Sequence, residues 1–400
     1  MALHGGLEPY LEAQRRANEL ERVVGLIEAY YVDSEPLEEG RLYEAAIRNM
    51  VEELDPYSEY MDKDRVHSLQ EDTNQEFGGI GIQVESKDGL LTIVAPIEGT
   101  PGARAGLLRG DQIVEVDGED IREVGLGDAV AILRGKPGSE VELTVYRPRS
   151  EEEFTAQVVR EAIEVESVRG VTMLDTRIGY LRITQFGEKT VEEVTGAISS
   201  LETQGMEALV MDLRNNPGGL LDAAVAVVDP FLEEGELILY TEGRHEGTSD
   251  KWYSANEDEP YGFDLVILIN SGSASAAEIV TGALKDHGVA KVVGEKSFGK
   301  GSVQRVIPIG NGSGLKLTVA KYYTPGAYVI HGNGIEPDVE IETTVEEDKQ
   351  LAIQQYGLVH LSFEEFVEQY EFEPIEDRQL KTAIELLNGE AELDVAEVAL

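Results

Sequence analysis

Two stretches of the chain hold residue types that can do covalent chemistry together. NSGSASAAEI, from Asn270 to Ile279, places Ser275 where an apolar strand-like run stops and a helix-like run begins. Ser275-Ala276-Ala277-Glu278 fits a capping box, in which a serine and a glutamate satisfy orphan amides at a helix start. The same helix tip presents unpaired N–H groups and a partial positive charge, which favours an oxyanion forming beside a serine nucleophile. Both roles fit the pattern. A serine nucleophile needs a base, and a chain with six histidines and no cysteine offers histidine or an unprotonated lysine. VVGEKSFGKGSVQRVIPI supplies Lys300, 25 positions after Ser275 and flanked by Gly299 and Gly301, residues that permit close approach of backbone or substrate. In an extended segment Lys300, Ser302 and Gln304 share one face, so that Gln304 can orient the amine. Lysine, with an ordinary pKa of ~10.4, becomes a base near neutrality only when desolvated. Its pocket must therefore be clear of unpaired carboxylates; without such a pocket Lys300 is a solvated turn residue. His331 stands as an alternative base. His287 does not, because twelve residues of helix put it about 18 Å from Ser275.

The surrounding text defines what positions these residues. Up to about residue 72, apolar residues recur at three- and four-residue spacing, as in YLEAQRRANELERVVGLIEAYYV, predicting a helical N-terminal domain over 1–75. From Phe77 the period shortens: FGGIGIQV, GLLTIVAP, QIVEVDG and EVELTVYR alternate between glycine, proline and aspartate turns, predicting a β-rich module over 76–150. Beyond it, GYLRITQF, ALVMDLR and DLVILIN are separated by helical stretches, which predicts an α/β core over 151–343. Acidic helical text returns over 344–400, as an appendage for packing or dimer contact.

Bulk properties exclude several classes of function. With 33 basic against 78 acidic residues the net charge is −45, which repels phosphate backbones and anionic lipid, so no nucleic acid is expected as partner. The absence of cysteine removes disulfides and thiolate metal sites, and no H-E-x-x-H or histidine cluster stands at ligand spacing, so no metal or cofactor is expected. No G-x-S-x-G surrounds Ser275, which speaks against an α/β-hydrolase elbow. No stretch approaches the ~20 apolar residues of a membrane span, and the opening lacks a basic segment followed by an apolar one.

Ser273 to Gln304, SASAAEIVTGALKDHGVAKVVGEKSFGKGSVQ, closely resembles the signature of the carboxyl-terminal processing peptidases, or tail-specific proteases. The resemblance implies a crotonase-like α/β protease core, an inserted PDZ domain, and helical N- and C-terminal segments. It implies that Ser275 attacks, Lys300 is general base and Gln304 positions the lysine. DLRNNPGG, Asp212 to Gly219, is similar to the family loop whose glycine amide pairs with that of the residue after the serine, here Gly218 and Ala276, with Gly219 as the alternative donor. Asp286 in GALKD matches an aspartate that supports the site from behind. KYYTPGAYVIHGNGIEPDVEI resembles the stretch following the lysine strand. Ala277 replaces a serine of many relatives, and Tyr57 in LDPYSEYM replaces a histidine. FGGIGI, followed by GTPGARAGLLRGDQIVEVDG, resembles a PDZ carboxylate-binding loop, in which Gly79, Ile80 and Gly81 would turn successive N–H groups toward a peptide terminus. Arg134 in LRGKPG is a candidate for coupling peptide binding to catalysis. The implied partners are proteins with free, apolar C-termini, with an adaptor protein and a homo-oligomer left open. The implied location is extracytoplasmic, the leader or anchor being absent from this chain. The competing expectation is a non-catalytic scaffold in which the PDZ domain captures tails.

Overall fold

The computed structural model describes residues 7–33, 41–74, 76–87, 89–97, 99–122, 124–164, 166–244, 246–360, 362–370 and 372–389. The first six residues, which bear on the leader expectation, and 390–400 of the expected C-terminal segment lie outside these. The chain forms two compact units, Met1–Val66 with Val303–Val319, and His67–Ser302 with Ala320–Leu400.

The larger unit is built on a six-stranded sheet in the order Val168–Met173, Ile178–Ile183, Ala208–Asp212, Asp264–Ile269, Ala290–Gly294 and Val339–Glu340. The first strand is antiparallel and the others run parallel. ALVMD and LVILI are buried at every position, the continuous apolar reading of strands covered on both faces. Alternate side chains sort the two faces. Ile178, Tyr180, Val210, Val266, Leu268 and Val293 pack with Ala383 and Leu387 of the C-terminal helix Arg378–Leu387. Helices Thr190–Thr203, Leu221–Val228 and Ala276–Asp286 pack side by side as a second layer. Pairing of Asp212 with Leu268 and of Ile269 with Gly294 brings three parallel strands to a common carboxyl end. In open α/β sheets that edge is where loops gather into sites. The loops beginning at Leu213, Asn270 and Glu295 all leave from it.

The same unit contains the β-rich module. Its strands run Ile82–Lys87, Leu90–Pro96, Gln112–Val116, Glu140–Arg147 and Glu152–Val159, with Glu119–Asp120 beside the third. Ile93, Leu107, Ile113, Val116, Leu143 and Val145 form its core. The module runs past the expected boundary at 150. Glu140–Arg147 and Glu152–Val159 pair along their whole length, and Glu161–Glu164 pairs back onto Glu76–Gly79. Arg147-Pro148-Arg149-Ser150 is thus a hairpin turn inside the module, with Glu151 at φ 55°.

The smaller unit holds helices Leu7–Tyr30 and Arg41–Glu52 and is not purely helical. Glu59–Met61 is a strand paired antiparallel with Gly314–Lys316. Asp55 organises the turn before it, taking the amides of Tyr57 and Ser58 and the Ser58 hydroxyl, each at 2.8 Å. Tyr57 therefore occupies a structural turn.

Candidate active site

Ser275 follows the buried strand Asp264–Ile269 through a loop tied at each step. The Ser273 hydroxyl donates to Leu213 O at 2.8 Å and takes the Asn270 amide at 3.0 Å, while the Ala274 amide donates to Asn216 O at 2.9 Å. Ser275 itself has φ 56° and ψ −113° and caps helix Ala276–Asp286. A non-glycine residue in that region is strained, and such strain persists where the surroundings over-determine it. The turn from strand to helix is thus sharp without a G-x-S-x-G sequence. The close approach that a neighbouring glycine gives in that motif comes here from another loop. A Cβ on Gly218 would lie 2.7 Å from Ser275 Cβ and 2.8 Å from Ala274 O.

Glu278 ties the two halves of the site together. Its Oε2 accepts from the Ser275 amide at 2.8 Å and from the Lys300 amide at 2.9 Å. Its Oε1 accepts from the Gly299 amide at 2.7 Å and the Ser297 hydroxyl at 2.5 Å. Ser275 and Lys300 amides sharing one oxygen must lie within the sum of those two distances of each other. The carboxylate is fully buried, and desolvation pushes its pKa above 4.5 while its four donors pull it back. Four donors need an acceptor, which the ionised form supplies. As sequence, Glu278 read only as the partner of a helix cap.

Lys300 is half-buried. The loop around it is shaped by its glycines: Gly299 has φ +89°, and a Cβ on Gly301 would meet His331 N at 2.2 Å. Gln304 belongs to the smaller unit, where its amide donates to Thr318 Oγ1 at 3.4 Å. Ala276 is buried at the first helical position. The Gly218 amide donates to the Asn216 side chain at 2.8 Å and is occupied in this conformation. Gly219, at φ +144°, bridges Phe186 through Phe186 N to Gly218 O and Leu220 N to Phe186 O. That bridge leaves the Gly219 N–H out.

Asp286 is not brought to Ser275. It lies exposed at the far end of the same helix, and its carboxylate takes the Gly326 amide at 2.7 Å. Helical rise carries it away, as it does His287, whose ring nitrogen meets Leu237 O at 2.8 Å. Sequence reasoning passed over Asp212, Arg214 and Asn216. The signal was present, since D-L-R ends an otherwise apolar strand with two charges.

In the β-rich module, Ile80 O accepts from Gly102 N at 2.7 Å, and Gly81 O accepts from Ile97 N at 2.9 Å and Thr100 Oγ1 at 2.8 Å. Across a trans peptide the next amide points the opposite way, so the Gly81 N–H faces away from Gly102. Gly79 closes the pairing with Glu161. Strand Ile82–Lys87 is an edge of its sheet. Helix Leu126–Leu133 of the same module exposes Leu126 and Ile132. Arg134 lies with its guanidinium 4.4 Å from the Phe77 ring centroid.

Among the described residues no helix is long and apolar enough to cross a membrane. Residues 177–341 match the model of peptidase family S41, residues 92–147 that of a PDZ domain, and residues 7–65 that described as the activating protease CtpB N-terminal domain. A carboxy-terminal-processing protease of Bartonella bacilliformis is 42% identical over 314 residues, 78% of this chain and 72% of the relative. The carboxy-terminal processing protease CtpA of Bacillus subtilis is 39% identical over 306 residues, 76% of this chain and 65% of its own length. A solved structure from Bacteroides fragilis, described as an S41 protease, shares the fold with a TM-score of 0.54 at 17% identity, covering 87% of this chain and 90% of that one.

Proposed function

This chain belongs to the carboxy-terminal processing proteases of peptidase family S41, serine-type peptidases, and we propose that it cuts proteins near their C-termini through a Ser275–Lys300 dyad. The Ser275 hydroxyl attacks the scissile carbonyl as the Lys300 amine takes its proton. The tetrahedral oxyanion is met by the Ala276 amide and one from the Gly218–Gly219 loop. Collapse expels the amine product, which carries off the proton from Lys300, and leaves an acyl-enzyme. Water, deprotonated by Lys300, then releases the acid product and restores the serine. Gln304 orients the lysine in this scheme.

The observation that carries the reading is the single Glu278 oxygen shared by the Ser275 and Lys300 amides, joined to the strained backbone at Ser275. The Gly218 N–H is taken by Asn216, which favours Gly219 as the glycine donor. Substrate selection is assigned to the PDZ module: the Gly81 region meets a terminal carboxylate and the Ile82–Lys87 edge adds the tail as a strand. This lets a chain of net charge −45 bind an anion through backbone dipoles. An extracytoplasmic workplace completes the proposal.

The test is mass spectrometry of products from an unstructured protein ending in apolar residues, using the intact chain, Ser275→Ala and Lys300→Ala. Both variants are expected to fold and to lose cleavage by at least about 10³-fold. Near-wild-type turnover by Lys300→Ala would reject the dyad.

A further inference from the structure

The loop that carries Gly218 is anchored by the C-terminal helix, and we propose that Asp377 is a positioning residue of the catalytic centre that acts through Arg214. This rests on the Ser–Lys reading above. Arg214 is almost fully buried and is gripped on two sides. Its Nε and Nη2 donate to Asp212 at 3.0 and 2.7 Å, and Asp212 also takes the Tyr180 hydroxyl at 2.8 Å. Its Nη1 and Nη2 donate to the two oxygens of Asp377 at 3.0 and 2.8 Å, and Nη1 also meets Gln379 Oε1 at 3.1 Å. Asp377 is in turn fixed as the N-cap of helix Arg378–Leu387, taking the Leu380 amide at 3.0 Å. Gln379 donates onward to Ile341 O at 2.8 Å.

From Arg214 to the nucleophile every step is pinned. The Asn215 amide donates to Asn270 Oδ1 at 2.8 Å, and the Asn216 side chain bridges Ile183 O and the Gly218 amide. Asn216 O takes the Ala274 amide, and Gly218 lies against Ser275. A guanidinium held this far from water tolerates loss of one of its two carboxylates poorly. The shift it must make to find another partner is passed along a loop whose last residues touch the reacting serine. The C-terminal segment, expected from sequence to be an appendage, thus helps set the oxyanion geometry from the opposite face of the sheet.

The test uses the full chain, its Asp377→Asn and Asp377→Glu variants, hydrolysis of an unstructured protein with an apolar C-terminus, and the rate at which a fluorophosphonate labels Ser275. Asp377→Asn is expected to lower kcat and the labelling rate by about tenfold or more. KM and the affinity of the PDZ module for a free apolar-ended peptide should stay within about twofold. Asp377→Glu should recover at least about threefold of the lost kcat, because it restores the anion. A folded Asp377→Asn protein with wild-type kcat overturns the inference, as does a loss shared equally between kcat and KM. Should Asp377→Asn fail to melt cooperatively, Gln379→Met, which removes only the Nη1 contact, is judged by the same assays: a fall in kcat at constant KM supports the role and an unchanged kcat overturns it. A wild-type chain that neither turns over nor labels would bring down the Ser–Lys reading and this inference with it, whereas an active wild type with an unaffected Asp377→Asn overturns this inference alone.

Discussion

At the scale of single residues, Glu278 carries more of the geometry than its place in a capping pattern suggested. Both its oxygens receive two donors, so Glu278→Gln must turn its NH₂ toward at least one backbone amide, a group that can only donate. The expected outcome is a loss of roughly 2 kcal/mol of stability, the cost of leaving buried donors unpaired, measurable in urea unfolding. Its pKa is raised by burial, so the folded state holds that proton more tightly than the unfolded one. Glu278 therefore adds stability on the acid side, and that part is lost as pH rises from 4.5 through the raised value. Activity moves the other way. Protonation of Glu278 weakens the acceptor that holds the Ser275 and Lys300 amides, so log kcat/KM is expected to fall on acidification with a break above pH 4.5. A Glu278→Gln enzyme that shows the same break would argue against this assignment. Ser275 and Lys300 stand out in the sequence as candidates because reactive residue types are conspicuous between glycines and alanines. Asn216 does not, since an asparagine in a loop looks alike whether it binds water or a catalytic-loop amide.

At the scale of elements, the short alternating strands predicted the β-rich module correctly, but its end was misplaced. Whether Arg147-Pro148-Arg149-Ser150 links two domains or turns a hairpin depends on the partner of the next strand, and pairing register is non-local. Gly81 offers the element-scale test of the peptide site. It has φ +70°, and a Cβ there would lie 2.3 Å from Thr100 Cβ. Gly81→Ala should weaken binding of an apolar-ended peptide by about tenfold or more, because the amide that meets the carboxylate would have to move. Fluorophosphonate labelling of Ser275 should be unchanged, and fluorescence anisotropy reads the binding arm. Undiminished peptide affinity in Gly81→Ala would place the carboxylate elsewhere.

At the scale of the whole molecule, 78 acidic and 33 basic residues make self-repulsion a general load. Raising monovalent salt from about 0.01 to 0.5 M, which cuts the screening length several-fold, should raise the melting temperature by a few degrees in calorimetry. A melting temperature that falls with salt would mean that exposed ion pairs, such as Arg65 with Glu59 and Lys296 with Glu336, outweigh the repulsion. The amino-acid order alone determined the α/β core and marked out Ser275, Lys300 and the glycines around them as candidates, because periodicity and reactive residue types are local properties that survive without coordinates. Only the tertiary structure decided that Glu278 holds the Ser275 and Lys300 backbones and that Asp377 grips Arg214 from 163 residues downstream. Those are meetings between segments distant in the chain, and their partners are chosen by the closing of the sheet and the packing of helices on its two faces.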